Sequence, residues 1–221
     1  MKTLSVQPNL AEQVRDAILA EIESGALKAG ERVIQEQVAA ALGVSRQPVQ
    51  QALLLLRNQG VLREAPGRGL IVAALDPDEV EHMYAMRAVI EGLAARRAAE
   101  TNAERAARQG PALIEAGRKA VASGSVPKLV AADMRFHELI YALSGNPLVA
   151  PAMAAHWSAT QRVMGEVLLR DEAPRDIWDQ HEAMLDAIMR GDGDEAEALA
   201  RRHITQAGDY MVARLRREAA A

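Results

Sequence analysis

Residues 33–60, VIQEQVAAALGVSRQPVQQALLLLRNQG, decide how the first part of the chain folds. Val38, Ala39 and Leu42 recur at helical spacing, and Gly43 ends that run. Ser45 stands where a small hydroxyl caps a second helix, whose apolar positions are Val49, Ala52, Leu53 and Leu56. Pro48 falls in the first turn of that helix, where its missing N–H has no intrahelical partner to lose. Helix, glycine turn and a second helix led by small polar and basic residues make a helix-turn-helix layout. In that layout the start of the second helix enters the DNA major groove. Here the start is Ser45, Arg46, Gln47 and Gln50, all able to hydrogen-bond base edges or phosphates. The plain alternative is an ordinary helical hairpin.

What flanks the stretch argues against that alternative. Val61–Ala65 and Leu70–Ala73 are short apolar runs around Pro66-Gly67-Arg68-Gly69, the pattern of a β-hairpin. A hairpin directly after a recognition helix is a wing. Arg68 falls at its tip, and Gly67 and Gly69 let the backbone there approach a phosphate or a groove closely. Upstream, residues 10–24 form an amphipathic helix with Val14, Ala17, Ile18 and Ile22 on one stripe, ended by Gly25 and Gly30. Residues 1–9 read as a polar, mobile arm.

GVSRQPVQQAL followed by GVLREAPGRGLIV resembles the winged-helix domain of GntR-type bacterial transcription regulators. The likeness runs from about residue 10 to 74 and holds in order and spacing. Two departures remove positive charge from the DNA face that the resemblance implies: Gln50 and Glu36 stand where family members often, or in some cases, carry a basic residue. The operator sequence therefore does not carry over from relatives.

A length of 221 residues suggests one or two domains. No apolar run is long enough to span a bilayer, and MKTLSVQPNL lacks a signal-peptide core, so a bacterial-type cytoplasm is the expected location. Without cysteine there is neither a disulfide framework nor a thiolate metal site. Aromatic residues make up only 3%, and Ala, Leu, Glu and Arg dominate, which favours helix over sheet. The net charge of −4 is unevenly divided: residues 1–75 hold eight basic and seven acidic residues, leaving −5 for residues 76–221. Within 37–72, Arg46, Arg57, Arg63 and Arg68 face only Glu64, and this local excess matters more for DNA than the total. The excess is small enough that one copy binds weakly, which predicts a homodimer.

Asp76 as N-cap and Pro77 at the first helical position mark the domain boundary, giving residues 1–75 and 76–221. Beyond it the periodicity is helical throughout, with candidate helices at about 77–100, 102–123, 127–144, 147–170, 174–190 and 193–217. The breaks are Thr101-Asn102, Gly124-Ser125, Gly145-Asn146-Pro147, Ala173-Pro174 and Gly191-Asp192-Gly193. Gly110-Pro111 predicts a kink or division inside the second of these helices. The expected fold is mainly α: a winged helix-turn-helix of three helices plus a β-hairpin, then an all-α helical bundle.

Polar residues on the apolar stripes carry the chemistry of the bundle. Leu129, Asp133, Phe136, His137 and Ile140 share one stripe. Ile177, His181, Met184, Leu185 and Ile188 share a second, and Ala196, Leu199, His203, Ala207 and Tyr210 a third. A buried charge is costly unless paired or bound to metal. Asp133 and His137, four apart, project side by side and with His181 and His203 make an Asp/His3 set. Such ligands suit a divalent metal, zinc first, with nickel, manganese or iron(II) as alternatives. Any single core histidine is more often structural. Three of five histidines at the core phase of their own helices, with an aspartate, reverse that balance. His82 reads as surface, and His156 fits either role.

The same residues carry a second resemblance. D-x3-H in ADMRFHELIYALSGNPLV, H in WDQHEAMLDAI and H in ALARRHI are similar to the FCD domain, the helical effector domain of the fatty-acid-regulator (FadR) branch of the GntR family. The resemblance implies that Asp133, His137, His181 and His203 hold the ion. It also implies that Arg87, in MYAMRAVIEG, holds the effector. Independently, the stripe Val80, Met83, Tyr84, Arg87, Ile90, Ala94 turns Arg87 inward, a guanidinium suited to a carboxylate. An i,i+4 pair with Glu91 is the competing reading. Asn146 offers an amide to the effector, or serves only as a turn residue before Pro147. The function this implies is an operator-DNA-binding regulator controlled by a small carboxylic acid, not an enzyme and with no membrane partner. A long acyl chain is disfavoured because the polar constellation leaves little continuous apolar lining. A metal-responsive regulator is one alternative. A metal-dependent hydrolase is another, weakened because no spare Glu or His on these stripes offers a general base.

Overall fold

The computed structural model describes residues 10–23, 25–168 and 177–219; the arm at 1–9 and the break at Ala173-Pro174 lie outside the described residues. The chain divides into two compact units, Met1–Leu75 and Asp76–Ala221.

In the first unit the order is α1 (Leu10–Glu23), β1 (Arg32–Val33), α2 (Gln35–Leu42), α3 (Arg46–Asn58), β2 (Leu62–Glu64) and β3 (Leu70–Val72). Val14 and Ile18 of α1 and Val49, Ala52 and Leu56 of α3 form its core with Val33, Leu62 and Val72. The wing hairpin pairs Leu62 with Val72 and Glu64 with Leu70. β1 adds a third strand beside β3, with Arg32 opposite Ile71, so the sheet order is β1-β3-β2. Two residues are too few to show a period, which is why the sequence gives no sign of β1. Gly43 closes α2 at φ 64, a left-handed conformation that favours glycine. Leu42, at the C-terminal end of α2, departs from the stripe read for it: it is 41% exposed. Ser45 has the extended backbone of an N-cap but makes no side-chain capping bond. Gln35 Nε2 instead donates to the Arg46 carbonyl at 2.8 Å and ties α2 to the start of α3.

The second unit is all helical among its described residues: α4 (Pro77–Ala122), α5 (Val126–Leu143), α6 (Val149–Leu168), α7 (Ile177–Met189) and α8 (Gly193–Ala219). Asp76 caps α4 as read from the sequence, its Oδ1 accepting from the Asp78 N–H at 3.0 Å, with Pro77 in the first turn. The two helices expected over 77–123 run on as one element, broken in dihedral angle only at Asn102 (φ −140, ψ 27). Asn102 Nδ2 donates to the Leu143 carbonyl at 2.7 Å, which fixes the bend. The helix does not divide at Gly110-Pro111: α4 runs through Pro111, and its one non-helical residue is Asn102. The glycines there serve packing instead. A Cβ on Gly110 would overlap Leu185, and one on Gly117 would overlap the Trp178 ring, so both positions let α7 approach closely. Phe136, Met153, Trp178, Met184 and Ile188 fill the core. No helix among the described residues is long and apolar enough to cross a membrane.

Candidate functional site

The bundle gathers the four predicted ligands. Asp133 and His137 come from adjacent turns of α5, His181 from α7 and His203 from α8, and each offers a donor atom within 4.8 Å of the others. All four are buried. His181 Nε2 lies 3.1 Å from His203 Nε2 and 3.5 Å from Asp133 Oδ1, while His137 Nε2 lies 3.8 Å from Asp133 Oδ2. Nitrogen and oxygen ligands about 2.0–2.2 Å from one ion stand roughly 3–3.5 Å apart, so the cluster is close to the size a divalent ion needs. Burial pushes the His203 imidazole down to about 3 and that of His181 well below its ordinary value, so both are held neutral with lone pairs available. The donor set therefore fits a metal ion.

Neighbouring side chains aim these rings. His203 Nδ1 is 2.9 Å from Gln180 Oε1, and His137 Nδ1 is 2.6 Å from Glu91 Oε2, which leaves Nε2 of each facing the cluster. Glu91 Oε1 in turn accepts from Arg87 Nε at 2.8 Å. Arg87 and Glu91 are each 2% exposed. Burial works against both charges, yet each secures the other: Arg87 and His137 hold Glu91 well below the carboxylate range, and Glu91 holds Arg87 above its own. For His137, burial is outweighed by Glu91 and Asp133, and its imidazole is raised. Burial raises Asp133. The pairing with Glu91 is the competing reading of Arg87, but in buried form. The tie from Glu91 to His137 has no signature in sequence, because it joins α4 to α5.

Arg87 nonetheless reaches the cavity, whose walls include Asp133, His137, His203, Tyr84 and Tyr210. It holds about 50 Å³. Its other walls are apolar, among them Leu129, Met164, Leu168, Ile177, Trp178, Ile204 and Met211. The lining is thus more apolar than the stripes read from the sequence imply. Asn146 is not brought to this cavity. Its Oδ1 accepts from the Leu148 N–H at 3.0 Å, the bond of a turn residue. His82 is exposed and His156 half-buried.

In the first unit Ser45, Arg46, Gln47 and Gln50 are exposed on the leading turns of α3. Gly67 and Gly69 take φ of 97 and 92 around the tip residue Arg68. Gln50 and Arg68 share the walls of one surface groove with Arg57 and Glu36. Sequence reasoning missed Arg32, whose guanidinium donates to the Arg68 carbonyl and, at 3.3 Å, to the Pro66 carbonyl, holding the wing tip to β1.

A helix-turn-helix followed by a wing is a DNA-binding fold, and the second unit is a helical bundle with a buried Asp/His cluster at its cavity. Residues 10–72 match the "Bacterial regulatory proteins, gntR family" model and residues 82–206 match the "FCD domain". The chain belongs to the GntR family of transcriptional regulators and carries an FCD domain. It is 28% identical to a "Probable D-xylose utilization operon transcriptional repressor" of Paenarthrobacter nicotinovorans, over 88% of this chain and 85% of that one. It is also 28% identical to a "Putative L-lactate dehydrogenase operon regulatory protein" of Escherichia coli, over 89% of this chain and 84% of that one. Among solved structures, E. coli McbR/YncC shares the fold, with a TM-score of 0.79 at 22% identity, over 94% of this chain and 98% of that one.

Proposed function

We propose that the protein is a homodimeric regulator of the FadR branch, acting in the cytoplasm, whose grip on operator DNA is set by a small monocarboxylate bound beside a divalent metal. The observation that carries this reading is that Asp133, His137 and His203 wall one cavity with Arg87. Asp133, His137, His181 and His203 hold the ion, preferably zinc, since neutral imidazoles and one carboxylate suit it. One carboxylate on a divalent ion leaves a net charge of about +1. Arg87 adds a positive charge that Glu91 cancels at 2.8 Å. A single negative charge therefore balances the cavity, and a dicarboxylate leaves an excess buried anion. The cavity is small, about 50 Å³, which favours a short acid. The relative named for a lactate dehydrogenase operon is in keeping with a short hydroxy acid, whereas the one named for xylose utilization points to a neutral sugar. The charge count supports the acid. No role in effector binding is retained for Asn146.

Operator contact is assigned to Ser45, Arg46, Gln47, Gln50, Gly67 and Arg68, with Arg46 reading a base edge and the wing tip meeting the backbone or groove. Two copies pair through α4, where Met86, Val89 and Leu93, 41%, 52% and 44% exposed, lie along one stripe. The test is a thermal-shift and operator-binding screen of the zinc-loaded protein with short monocarboxylates, dicarboxylates and neutral sugars. A ligand at about 100 times its Kd stabilises by roughly 2.7 kcal/mol. Stabilisation and changed DNA affinity with monocarboxylates, lost when zinc is removed, are expected. A response confined to sugars or dicarboxylates sinks the charge argument.

A further inference from the structure

The recognition helix α3 carries two ionisable residues, Arg46 at its start and Arg57 in its last turn. Each is met by a carboxylate from a neighbouring element. Glu36 of α2 lies 3.4 Å from Arg46, and Glu64 of β2 lies 3.5 Å from Arg57. We propose that Glu36 and Glu64 are specificity-determining residues, which counter Arg46 and Arg57 so that DNA offering only phosphates gains little from either arginine. The proposal rests on the assignment of α3 and the wing as the DNA face.

Both pairs are open to water: side-chain exposure is 71% and 57% for Arg46 and Glu36, and 44% and 80% for Arg57 and Glu64. Exposed pairs are weak and exchange readily, so they do not lock the arginines away. Their effect is on the field that DNA meets. Non-specific binding comes almost wholly from cations that replace counterions on phosphates. A carboxylate beside each arginine cancels that gain, and freeing the arginine leaves the carboxylate facing the phosphates. Base readout is less affected, because a bidentate Arg–guanine contact depends on geometry at a base edge. Glu36 shares its groove with Gln50, Arg57 and Arg68, so its charge acts where the duplex would lie. The penalty therefore falls mainly on wrong sequences, a form of specificity by repulsion.

The experiment compares full-length, zinc-loaded wild type with Glu36→Gln, Glu64→Gln, Arg46→Ala and Glu36→Gln/Arg46→Ala. The probes are a labelled duplex of unrelated sequence and an operator selected by wild type from random duplexes, titrated between about 50 and 200 mM KCl. Glu36→Gln and Glu64→Gln are expected to tighten binding to the unrelated duplex about 3–10-fold at low salt and to steepen the salt slope by up to about one unit. Operator affinity rises less, so the specificity ratio falls. In the Arg46→Ala background Glu36→Gln should still tighten the unrelated duplex, because the carboxylate repels phosphates without its partner. Wild-type affinity and slope in both glutamine variants overturn the proposal, as does an equal gain on operator and unrelated duplex that leaves the specificity ratio unchanged. If Arg46→Ala leaves operator binding unchanged, the DNA-face assignment itself fails, a result read separately from the glutamine variants.

Discussion

Arg87, Glu91 and His137 form a buried chain in which every charge has a partner, and this makes the chain sensitive to single changes. Removing either member of the Arg87–Glu91 pair leaves an uncompensated buried charge, which costs about 3–5 kcal/mol. Arg87→Ala and Glu91→Gln should therefore each lower stability to urea far more than the double variant Arg87→Met/Glu91→Leu. Equal loss in all three would deny the pair this role. The same chain sets the pH dependence of metal binding. His181 and His203 are already neutral near pH 7, so neither contributes a proton there. His137 is raised by Glu91 and Asp133, so below its pKa it carries a proton that the metal must displace. Metal affinity should fall about tenfold per pH unit below that pKa and flatten above it. Calorimetry in buffers of different ionisation enthalpy should find the protons released per ion rising toward one as pH falls through the pKa of His137. Proton release that stays at zero down to low pH, or that reaches three, would contradict this assignment.

Among the elements, α4 is the one that tertiary packing overrides most visibly. Gly110 and Pro111 are breakers by local propensity, and the element runs through them. Trp178 packs where a Gly117 side chain would be, and Leu185 packs against Gly110. Alanine at position 117 raises helix propensity by about 1 kcal/mol but meets a buried ring, and overpacking costs typically 1–3 kcal/mol. Gly117→Ala should therefore lower the thermal midpoint, although the same substitution stabilises an open helix. A rise would show that α7 yields easily. The wing follows a similar logic: Arg32, from a strand of two residues, holds the tip that carries Arg68.

For the protein as a whole, the proposed dimer makes pairing of two chains part of DNA recognition. Two half-sites joined by one dimer raise the effective concentration of the second winged helix once the first is seated. Val89→Glu places a charge in the exposed α4 stripe without touching the buried cavity. It should shift the protein to monomer in sedimentation and weaken operator binding more than binding to a single half-site. A Val89→Glu protein that remains dimeric would place the interface elsewhere.

The sequence by itself determined the helix-turn-helix, the wing, the boundary at Asp76-Pro77 and the four residues of the buried cluster. Each of these follows from spacing within one element: a glycine turn, a cap, or ionisable residues at the core phase of a single helix. Tertiary structure alone decided the rest. It supplied the third strand of the wing sheet, carried α4 through Pro111 while keeping the dihedral break at Asn102 where the sequence had it, and assigned Asn146 to a turn. It also joined Glu91 to His137, Gln180 to His203, and Glu36 and Glu64 to the recognition-helix arginines. Those partners lie on different elements. Periodicity tells which face of a helix is buried, but not which residue of a neighbouring element meets it. The charge of the cavity, and with it the class of ligand, depends on that second fact.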